Sequence, residues 1–367
     1  MTDLIKLEGN YLEGGGQIIR TALALSTITG KGFEVDNIRA GRKKPGLKYQ
    51  HMHSIKGLEK LCNAVTEGVE LGSSYIKYLP GKIKGQTISI DIQTAGSITL
   101  MMQALLIPSL FADAKVRLQI KGGTDTKMSM PIDYFNHILV PHVRRFANIN
   151  LSVLNRGYFP KGNGEVKIEI KPNYKLKDFE SYELFLESLR ENIPSFDLID
   201  QGQLMQIRGI SNAAKELEGK NVAERTANAA RNALSKLDDG VKIDTEYRDT
   251  LSMGSAIVLW AIYSKKSDDV DVNDPIIIGS DALGERGKAS EIVGEEAADR
   301  LIKEVGYGAP VDEYLADNLI PYLGLIGGKI KVAKISDHTR TNIYVVEQFL
   351  DVKFNIDEDN KIISVDL

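Results

Sequence analysis

The feature that most constrains the fold of this chain is an order of predicted elements that recurs three times. Each pass predicts a strand, a helix, a second strand, a second helix and one or two closing strands, and such repetition is the first thing to seek in a sequence. The first pass covers residues 4–79, the second begins at Thr87, and the third ends the chain from Val311. In the first helix, Ile18 and Ala22 recur at helical spacing. The sequence therefore predicts an α+β fold of three repeated units, each a sheet with two helices.

A segment between the second and third passes breaks this order. Residues 202–308 predict a strand, a helix, three strands and a helix, as expected of a small inserted α+β domain. Its predicted boundaries are the polar stretch Lys175–Gln203 and the turn Tyr307–Pro310. We therefore expect a first part, 1–201, with two units and the start of the third, then the inserted domain 202–308, and a last part, 309–367, that completes the third unit.

Composition limits the kinds of partner that this chain can take. Its net charge of -4 argues against general coating of nucleic acid, so that any nucleic-acid site must be local. The longest clean apolar run, Ala256–Tyr263, is too short to cross a bilayer, so we expect no membrane span. The single cysteine, Cys62, cannot form an internal disulfide, which favours a reducing, cytoplasmic location.

His338 is the strongest candidate for a catalytic nucleophile. It lies where a predicted strand, Lys329–Ile335, ends and a predicted helix begins at Thr339. An imidazole at such a junction can face solvent while rigid elements hold its partners. The alternative is a histidine that merely favours a helix terminus or packs at the surface.

A glycine-rich run, Glu13–Gln17, opens the first predicted helix. Glycines at this position let backbone N–H groups approach an anion, and the helix dipole favours negative charge, so the run predicts a phosphate site. A flexible turn between strand and helix explains the same glycines. The Glu13 carboxylate could bind Mg²⁺ or Mn²⁺, which prefer oxygen ligands.

A basic loop follows the second predicted strand. Residues Arg39–Lys48 hold five cations, with a proline and two glycines that favour a loop. Arginine forms bidentate contacts with phosphate, so the loop is a candidate binding site for an RNA or DNA end. Gln50 and His51 could belong to the same site. A solvated basic loop is the alternative.

Several common catalytic signatures are absent from the sequence. The phosphate-binding loop GxxxxGK[ST] is missing, because near Gly287 and Lys288 the first glycine is replaced by Ala282 and the hydroxyl residue by Ala289. The sequence contains no HExxH, no cysteine pair and no GxSxG, which argues against zinc hydrolases and serine hydrolases.

Five stretches taken together, in order along nearly the whole chain, resemble the RNA 3′-terminal phosphate cyclase family. They are Glu13–Arg20, Ile38–Leu47, Thr94–Ser97, Gly157–Pro160 and His338–Ile343. The resemblance implies a body of three repeated units, shared in shape with the C-terminal domain of a bacterial translation initiation factor and with enolpyruvyl transferases, plus a small inserted domain.

The resemblance also implies a reaction. The family uses ATP to convert the 3′-terminal phosphate of RNA into a 2′,3′-cyclic phosphodiester, with release of AMP and pyrophosphate. His338 would then carry AMP as a phosphoramidate, and a Mg²⁺ or Mn²⁺ ion near Glu13 would offset negative charge at phosphorus.

Further residues take roles only through this resemblance. Pro131 and Tyr314 would sandwich adenine. Asn318 departs from the glutamine of some relatives, and Leu283 stands where an aromatic ring can occur. The remaining implied residues are Gln103, Asp317 and Asn318 beside the nucleotide, and Arg20, Arg39, Arg42, Gln50 and His51 around the substrate phosphates.

Two alternatives stay open at the level of sequence. One is a non-catalytic ribosome-assembly protein of the same fold that lacks the nucleophile. The other is an enolpyruvyl transferase, which shares the repeated unit but would need neither the residues around His338 nor the inserted domain.

Overall fold

The described part of the chain folds into four four-stranded β-sheets with helices packed on them. This computed structural model describes residues 4–237, 240–266 and 270–367. The mixture of sheets and helices confirms the α+β class.

The first sheet has the strand order β1-β2-β4-β3, with β1 and β2 parallel and the other pairs antiparallel. Its predicted strands and helices are present, together with a short strand, β3, that the sequence did not indicate. The elements are β1 (Ile5–Glu8), α1 (Gln17–Thr29), β2 (Phe33–Asp36), α2 (Tyr49–Cys62), β3 (Val65–Glu67) and β4 (Ile76–Leu79).

The second sheet repeats this arrangement in the order β5-β6-β8-β7, again with only its first pair parallel. Residues 132–143 form one helix with a π-helical middle section, Phe135–Leu139, between two short α-helical parts. The elements are β5 (Thr87–Asp91), α3 (Ile98–Leu110), β6 (Val116–Gly122), α4 (Ile132–Tyr134), α5 (Val140–Val143), β7 (Ala147–Asn155) and β8 (Gly164–Pro172).

The stretch 175–203, predicted as a polar boundary, has regular structure of its own. It contains a helix, α6 (Tyr182–Asn192), and a strand, β9 (Phe196–Leu198). Phe185 and Leu189 of α6 are fully buried. The charged residues that alternate with these apolar ones made the stretch look like a linker, although its apolar face is helical.

The third block of the chain, 203–306, has a sheet of its own, ordered β11-β10-β12-β13. Its elements follow the predicted order, and its two long helices pack against each other. Ser280 fixes the second of them on the sheet by donating to the Ala297 carbonyl at 2.7 Å. The elements are β10 (Gln203–Ala214), α7 (Val222–Leu234), β11 (Lys242–Arg248), β12 (Ser255–Ser264), β13 (Ile276–Leu283) and α8 (Ser290–Gly306).

The end of the chain completes the fourth sheet around β9. The order is β9-β14-β16-β15, with β9 and β14 parallel and the remaining pairs antiparallel, as in the first two sheets. The elements are α9 (Glu313–Ile326), β14 (Gly328–Lys331), α10 (Asp337–Phe349), β15 (Phe354–Asp357) and β16 (Ile362–Val365).

The strand predicted over 329–335 ends earlier, at Lys331. Lys331 pairs with Ile362, the first residue of β16, so the ladder has no further partner strand. Val332 and Ala333 instead donate to single carbonyls, those of Lys361 at 3.0 Å and Val311 at 2.9 Å. An irregular segment therefore leads into α10 and sets the position of its first turn.

Helix α1 lies at the centre of the site region. Twelve of its thirteen residues, 17–28, are buried, because α1 packs against both α3 and α10. This packing brings the first turn of α1 next to the first turn of α10. In the described part of the chain, no helix is both long and apolar enough to span a membrane.

Candidate active site

The first turn of α10 holds His338 at the edge of a cavity of about 500 Å³. Ser336 caps this helix, because its Oγ accepts from the Thr339 N–H at 3.0 Å. The His338 side chain is 48% exposed. The structure therefore presents this imidazole to a ligand-sized space rather than sealing it in the core.

Two partners hold one ring nitrogen of His338. The Nδ1 atom lies 2.5 Å from Glu13 Oε1 and also contacts Gln17 Oε1. Gln17 makes a second contact to the same residue, since its Nε2 donates to the His338 carbonyl at 2.6 Å. An amide oxygen can only accept, so Nδ1 carries a hydrogen that Gln17 Oε1 accepts beside the Glu13 carboxylate, and in the neutral ring Nε2 keeps its lone pair. Among the described residues, Nε2 has no hydrogen-bond partner.

The charges in this cluster shift its pKa values in opposite directions. The hydrogen bond to Glu13 raises the pKa of His338, with the negative charge of Asp317 adding to the effect against partial burial. Burial alone would raise the pKa of Glu13, but the hydrogen bond and charge of His338 and the charge of Arg42 together lower it. The pair thus favours an ionised carboxylate that orients the imidazole.

The glycine run brings Glu13 and the basic groups together. Glu13 Oε2 lies 3.2 Å from Arg42 Nη2. A Cβ at Gly16 would collide with the His51 ring and lie 3.0 Å from Arg20 Nη1. The side chains of His51 and Arg20 can approach the start of α1 only because residue 16 is glycine.

A relay of side chains connects Arg20 across the helices. Arg20 Nε donates to Gln103 Oε1 at 2.6 Å, and Gln103 Nε2 donates to Asn318 Oδ1 at 2.9 Å. Asn318 Nδ2 in turn donates to the Tyr314 carbonyl at 2.7 Å. Burial lowers the pKa of Arg20 to about 10, so its guanidinium stays charged at neutral pH. The structure thus joins four residues that the sequence placed in two separate groups.

Asp317 joins α9 to the start of α10. Its Oδ1 accepts from Ser336 Oγ at 2.8 Å and from Thr339 Oγ1 at 2.6 Å, and its carbonyl accepts from Asn342 Nδ2 at 2.7 Å. Burial raises the pKa of Asp317 to about 6, although the two hydroxyl groups act to lower it. Asp317 therefore fixes the helix that carries His338.

The two residues expected around adenine differ in their surroundings. Tyr314 lines the cavity, is 50% exposed and makes an edge contact with Tyr134, whose ring centre is 6.3 Å away. Pro131 is buried at the start of α4, whereas the residues before it, 126–130, line the cavity. The Tyr314 ring is open to the cavity, whereas Pro131 is covered by its neighbours.

The basic loop lies on the other side of Glu13. Arg39 Nη1 donates to the carbonyls of Lys44 and Gly46, both at 3.0 Å, so this guanidinium helps to hold the loop itself. His51 Nδ1 accepts from the Lys48 N–H at 3.1 Å, which leaves a buried Nε2–H without a partner among the described residues. Burial, and then the charge of Arg20, lowers the pKa of His51 far below its usual value, so the ring is a neutral donor.

Gln50 lies apart from that cluster. It occupies the first turn of α2, and its Cβ lies 3.8 Å from the place that a Cβ on Gly96 would take. The structure thus brings Glu13, Arg20, Arg42 and His51 together, and leaves Gln50 beside the neighbouring loop.

Comparison with known proteins gives the family. Residues 11–356 match the family described as RNA 3′-terminal phosphate cyclase. The chain belongs to this family.

Relatives of this name cover nearly the whole chain. The RNA 3′-terminal phosphate cyclase of Pyrococcus furiosus is 42% identical over 354 residues, which are 96% of this chain and 95% of the relative. Those of Methanopyrus kandleri and Ignicoccus hospitalis are 38% and 39% identical, with 96% and 95% of this chain and 95% and 93% of the relatives covered. This chain is therefore an enzyme of the cyclase family, and the non-catalytic protein and the enolpyruvyl transferase are set aside.

Several residues of this cyclase-family site were missed from the sequence. Gln17 holds His338, and Thr21 Oγ1 donates to Asn342 Oδ1 at 2.8 Å. Gln17 lies three residues before Arg20 and Thr21 one residue after it. Residues three apart share a helical face, so the position of Arg20 could have indicated Gln17. Apart from Leu283, which the resemblance named, no comparable signal marked the wall that 203–306 contributes to the cavity, which consists of Asp281, Leu283, Glu285, Lys288, Glu296 and Arg300.

The surroundings of Glu13 decide whether a metal ion fits. Within the described ranges, no group of three or more His, Cys, Asp or Glu side chains is placed to hold a metal. Glu13 is a single carboxylate, beside the amide oxygen of Gln17. Mg²⁺ commonly binds through one or two carboxylates, water and substrate phosphate, so these donors fit an ion that arrives with a nucleotide.

Proposed function

We propose that this enzyme uses ATP to convert the 3′-terminal phosphate of an RNA into a 2′,3′-cyclic phosphodiester. The observation that carries the proposal is the His338 ring at the edge of a ligand-sized cavity: Glu13 and Gln17 hold its Nδ1, while Nε2 has no partner among the residues that the structure describes. Membership of the cyclase family supplies the substrate class.

In the first step, His338 Nε2 attacks the α-phosphorus of ATP. A P–N bond forms, the bond from this phosphorus to the bridging oxygen breaks, and pyrophosphate leaves. A covalent intermediate divides one difficult transfer into easier ones. The Glu13 carboxylate suits this step, because it stabilises the positive charge that the imidazole gains and keeps the ring aimed at the cavity.

In the second step, an oxygen of the RNA 3′-phosphate attacks the same phosphorus. The P–N bond breaks, His338 is regenerated, and AMP is joined to the RNA end through a new P–O–P bond.

In the third step, the neighbouring 2′-hydroxyl attacks the RNA phosphorus, AMP leaves, and the hydroxyl proton is lost to solvent. Ring closure is favoured because the attacking oxygen is held next to the phosphorus.

The cavity suits the nucleotide. Tyr314 offers an exposed ring face for a base, with Pro131 expected on the opposite side. The polar relay of Gln103 and Asn318 borders the same space, and Asp317 lines it near His338. Aromatic and apolar walls with a few fixed polar groups are typical of nucleotide-sized sites.

The basic pocket on the other side of Glu13 suits the RNA phosphate. Arg42 and Arg20 supply positive charge, and the neutral His51 offers a buried N–H donor that no described residue uses. Arg39, in the loop that carries Arg42, and Gln50, on α2 beside the neighbouring loop, would contact the RNA beyond this pocket. Buried donors of this kind bind an anion strongly because the low local dielectric strengthens the contacts.

A divalent ion, Mg²⁺ or Mn²⁺, would be held by Glu13 with help from Gln17 Oε1. Such an ion supplies positive charge that lowers the energy of negative charge at phosphorus. The protein residues do the remaining work, since Arg20 and Arg42 face the same region.

We also propose that the three sheets with a shared strand order are copies of one unit, shaped like the C-terminal domain of a bacterial translation initiation factor. Their first strands are parallel and all later pairs antiparallel. Residues 202–308 would then be an inserted domain between two parts of the third copy.

The experiment is a cyclisation assay. An RNA with a labelled 3′-terminal phosphate is incubated with the enzyme, ATP and Mg²⁺ or Mn²⁺, and resistance of the label to phosphatase is measured. We expect a resistant product that depends on ATP and is absent with His338→Ala. An RNA with a 3′-hydroxyl should be unchanged, and a label that stays phosphatase-sensitive with both ions would refute the proposed function.

A further inference from the structure

One wall of the cavity comes from the block 203–306, to which the reaction above assigns no role. Asp281 and Leu283 are alternate residues of β13, so their side chains leave the same face of the strand. β13 is the edge strand of its sheet, and this face meets the cavity beside Tyr314.

The carboxylate of Asp281 differs from the other carboxylates of the cavity. Glu285 pairs with Lys127 at 3.0 Å, Glu296 pairs with Lys288, and Asp317 accepts from two hydroxyl groups. Asp281 contacts Arg300 only through its backbone carbonyl, at 2.7 Å.

No described residue donates a hydrogen bond to the Asp281 carboxylate or forms an ion pair with it. Burial raises the pKa of this carboxyl to about 6, although the nearby charge of Arg300 acts to lower it, so it is mainly an ionised acceptor at neutral pH. A half-buried carboxylate without a protein donor calls for one from a ligand or water.

The position of Asp281 indicates which part of a nucleotide it would meet. The phosphate end of the cavity is marked by His338 and Arg20. Burial raises the pKa of Tyr314, and the charge of Asp281 is the next largest cause of this increase. The two side chains therefore lie close together. A nucleotide with its phosphates at His338 and its base on Tyr314 and Leu283 would therefore bring the base into the part of the cavity that Asp281 lines.

We propose that Asp281 selects the nucleobase by accepting a hydrogen bond from the 6-amino group of adenine. This inference rests on the proposed function, because it takes the cavity to be a nucleotide site. Hypoxanthine carries a carbonyl oxygen where adenine carries the amino group. Two acceptors would then face each other, and the buried carboxylate would lose its donor.

The test compares ATP with inosine triphosphate, which differs at this position of the base. Calorimetric binding of both nucleotides to the full chain should favour ATP by about 10- to 100-fold, as expected for one hydrogen bond to a charged group. In Asp281→Asn the side-chain amide can turn to donate to the hypoxanthine oxygen. The preference should therefore fall about 10-fold or more, with tighter binding of inosine triphosphate than in the wild type.

A gain of affinity for inosine triphosphate cannot come from a damaged fold. The matched control is Asp299→Asn, an exposed carboxylate on α8 outside the cavity lining, which should keep the wild-type preference. Equal binding of the two nucleotides by the wild type would overturn the inference, as would an unchanged preference in Asp281→Asn or a preference for GTP. Failure of the proposed function looks different, because RNA would not be cyclised while a preference for ATP in binding could still be measured.

Discussion

At the scale of single residues, the chemistry depends on which nitrogen of His338 is left free. Glu13 and Gln17 both contact Nδ1, and both precede α10 by more than 300 residues. The sequence identified His338 and Glu13 as candidates from their positions at helix starts. It did not identify Gln17, because a polar residue at the first position of a helix usually faces water.

Replacing Gln17 tests whether this contact orients the ring. In Gln17→Ala, His338 loses one of the two groups at its Nδ1 and also the hydrogen bond that Gln17 donates to the His338 backbone carbonyl. We expect the single-turnover rate of nucleotidyl transfer to the protein to fall by about 10- to 100-fold, since small errors in position are costly. The affinity for ATP should change little, which separates positioning from binding. Gln348→Ala, an exposed site on α10, should keep the wild-type rate.

The pH dependence of stability has a defined contribution from Glu304. Burial and the charge of Asp312 raise the pKa of Glu304 to about 7. A carboxyl whose pKa is raised by folding adds stability below its unfolded pKa, near 4.5, and that contribution is lost as pH rises through about 7.

Glu304→Gln should remove this loss. Urea unfolding at pH 5 and pH 8 should show the variant gaining stability relative to the wild type at the higher pH, on the order of 1 kcal/mol. Glu295→Gln, exposed on the same helix, should give the same difference from the wild type at both pH values. An equal change at both pH values for Glu304→Gln would contradict the assignment.

At the scale of elements, the start of α10 is the best-determined part of the site. Ser336 caps the helix and donates to Asp317, which ties α10 to α9. The sequence predicted a helix beginning here because Ser336 precedes an apolar periodic run. It predicted the strand before the helix four residues too long, because apolar residues 332 and 335 continue after the partner strand has ended.

Removing the cap should affect both stability and chemistry. Ser336→Ala should lower the free energy of unfolding by about 1 kcal/mol, the usual cost of losing a serine cap, and should also slow nucleotidyl transfer because His338 lies in the first turn. Ser181→Ala at the start of α6 is the matched control, since the Ser181 Oγ accepts from the Leu184 N–H at 3.3 Å. That variant should lose stability without losing rate. If Ser336→Ala and Ser181→Ala transferred the nucleotide at the same rate, the cap at Ser336 would have no role in catalysis.

At the scale of the whole molecule, the sequence indicated the order of elements better than their assembly. The apolar periodicity of α1 and the glycine run before it predicted local structure, because the signals lie within the element. Of the cavity wall from β13 and α8, only Leu283 was named, through the family resemblance, because the wall depends on how residues 203–306 pack against α4 and the π-helical section Phe135–Leu139. Helix α6 was overlooked since its apolar positions are few and surrounded by charge.

A buried charge cluster helps to hold that arrangement. Arg156 contacts Asp133 at 2.7 Å and Glu246 of β11 at 2.9 Å, and its side chain is almost fully buried. Arg156→Lys keeps the charge but not the planar fork of donors. We expect the free energy of unfolding to fall by about 2–4 kcal/mol in urea titrations, because carboxylates are left without partners in the interior.

The control for this change is Arg248→Lys, an exposed arginine that also contacts Glu246, at 3.2 Å. It should cost less than about 1 kcal/mol, as surface pairs do. A comparable loss for both variants would show that burial of the Arg156 cluster is not what stabilises the junction.

The most direct test of the whole account is transfer of label from α-labelled ATP to the protein. With Mg²⁺ or Mn²⁺, the wild type should retain label after denaturation, and the bond should be labile in acid and stable in alkali, as expected of a phosphoramidate. His53→Ala, a histidine on α2, should label like the wild type, and His338→Ala should not label at all. Label that persists on His338→Ala, or a wild-type protein that takes up none with either ion, would contradict the central role of this imidazole.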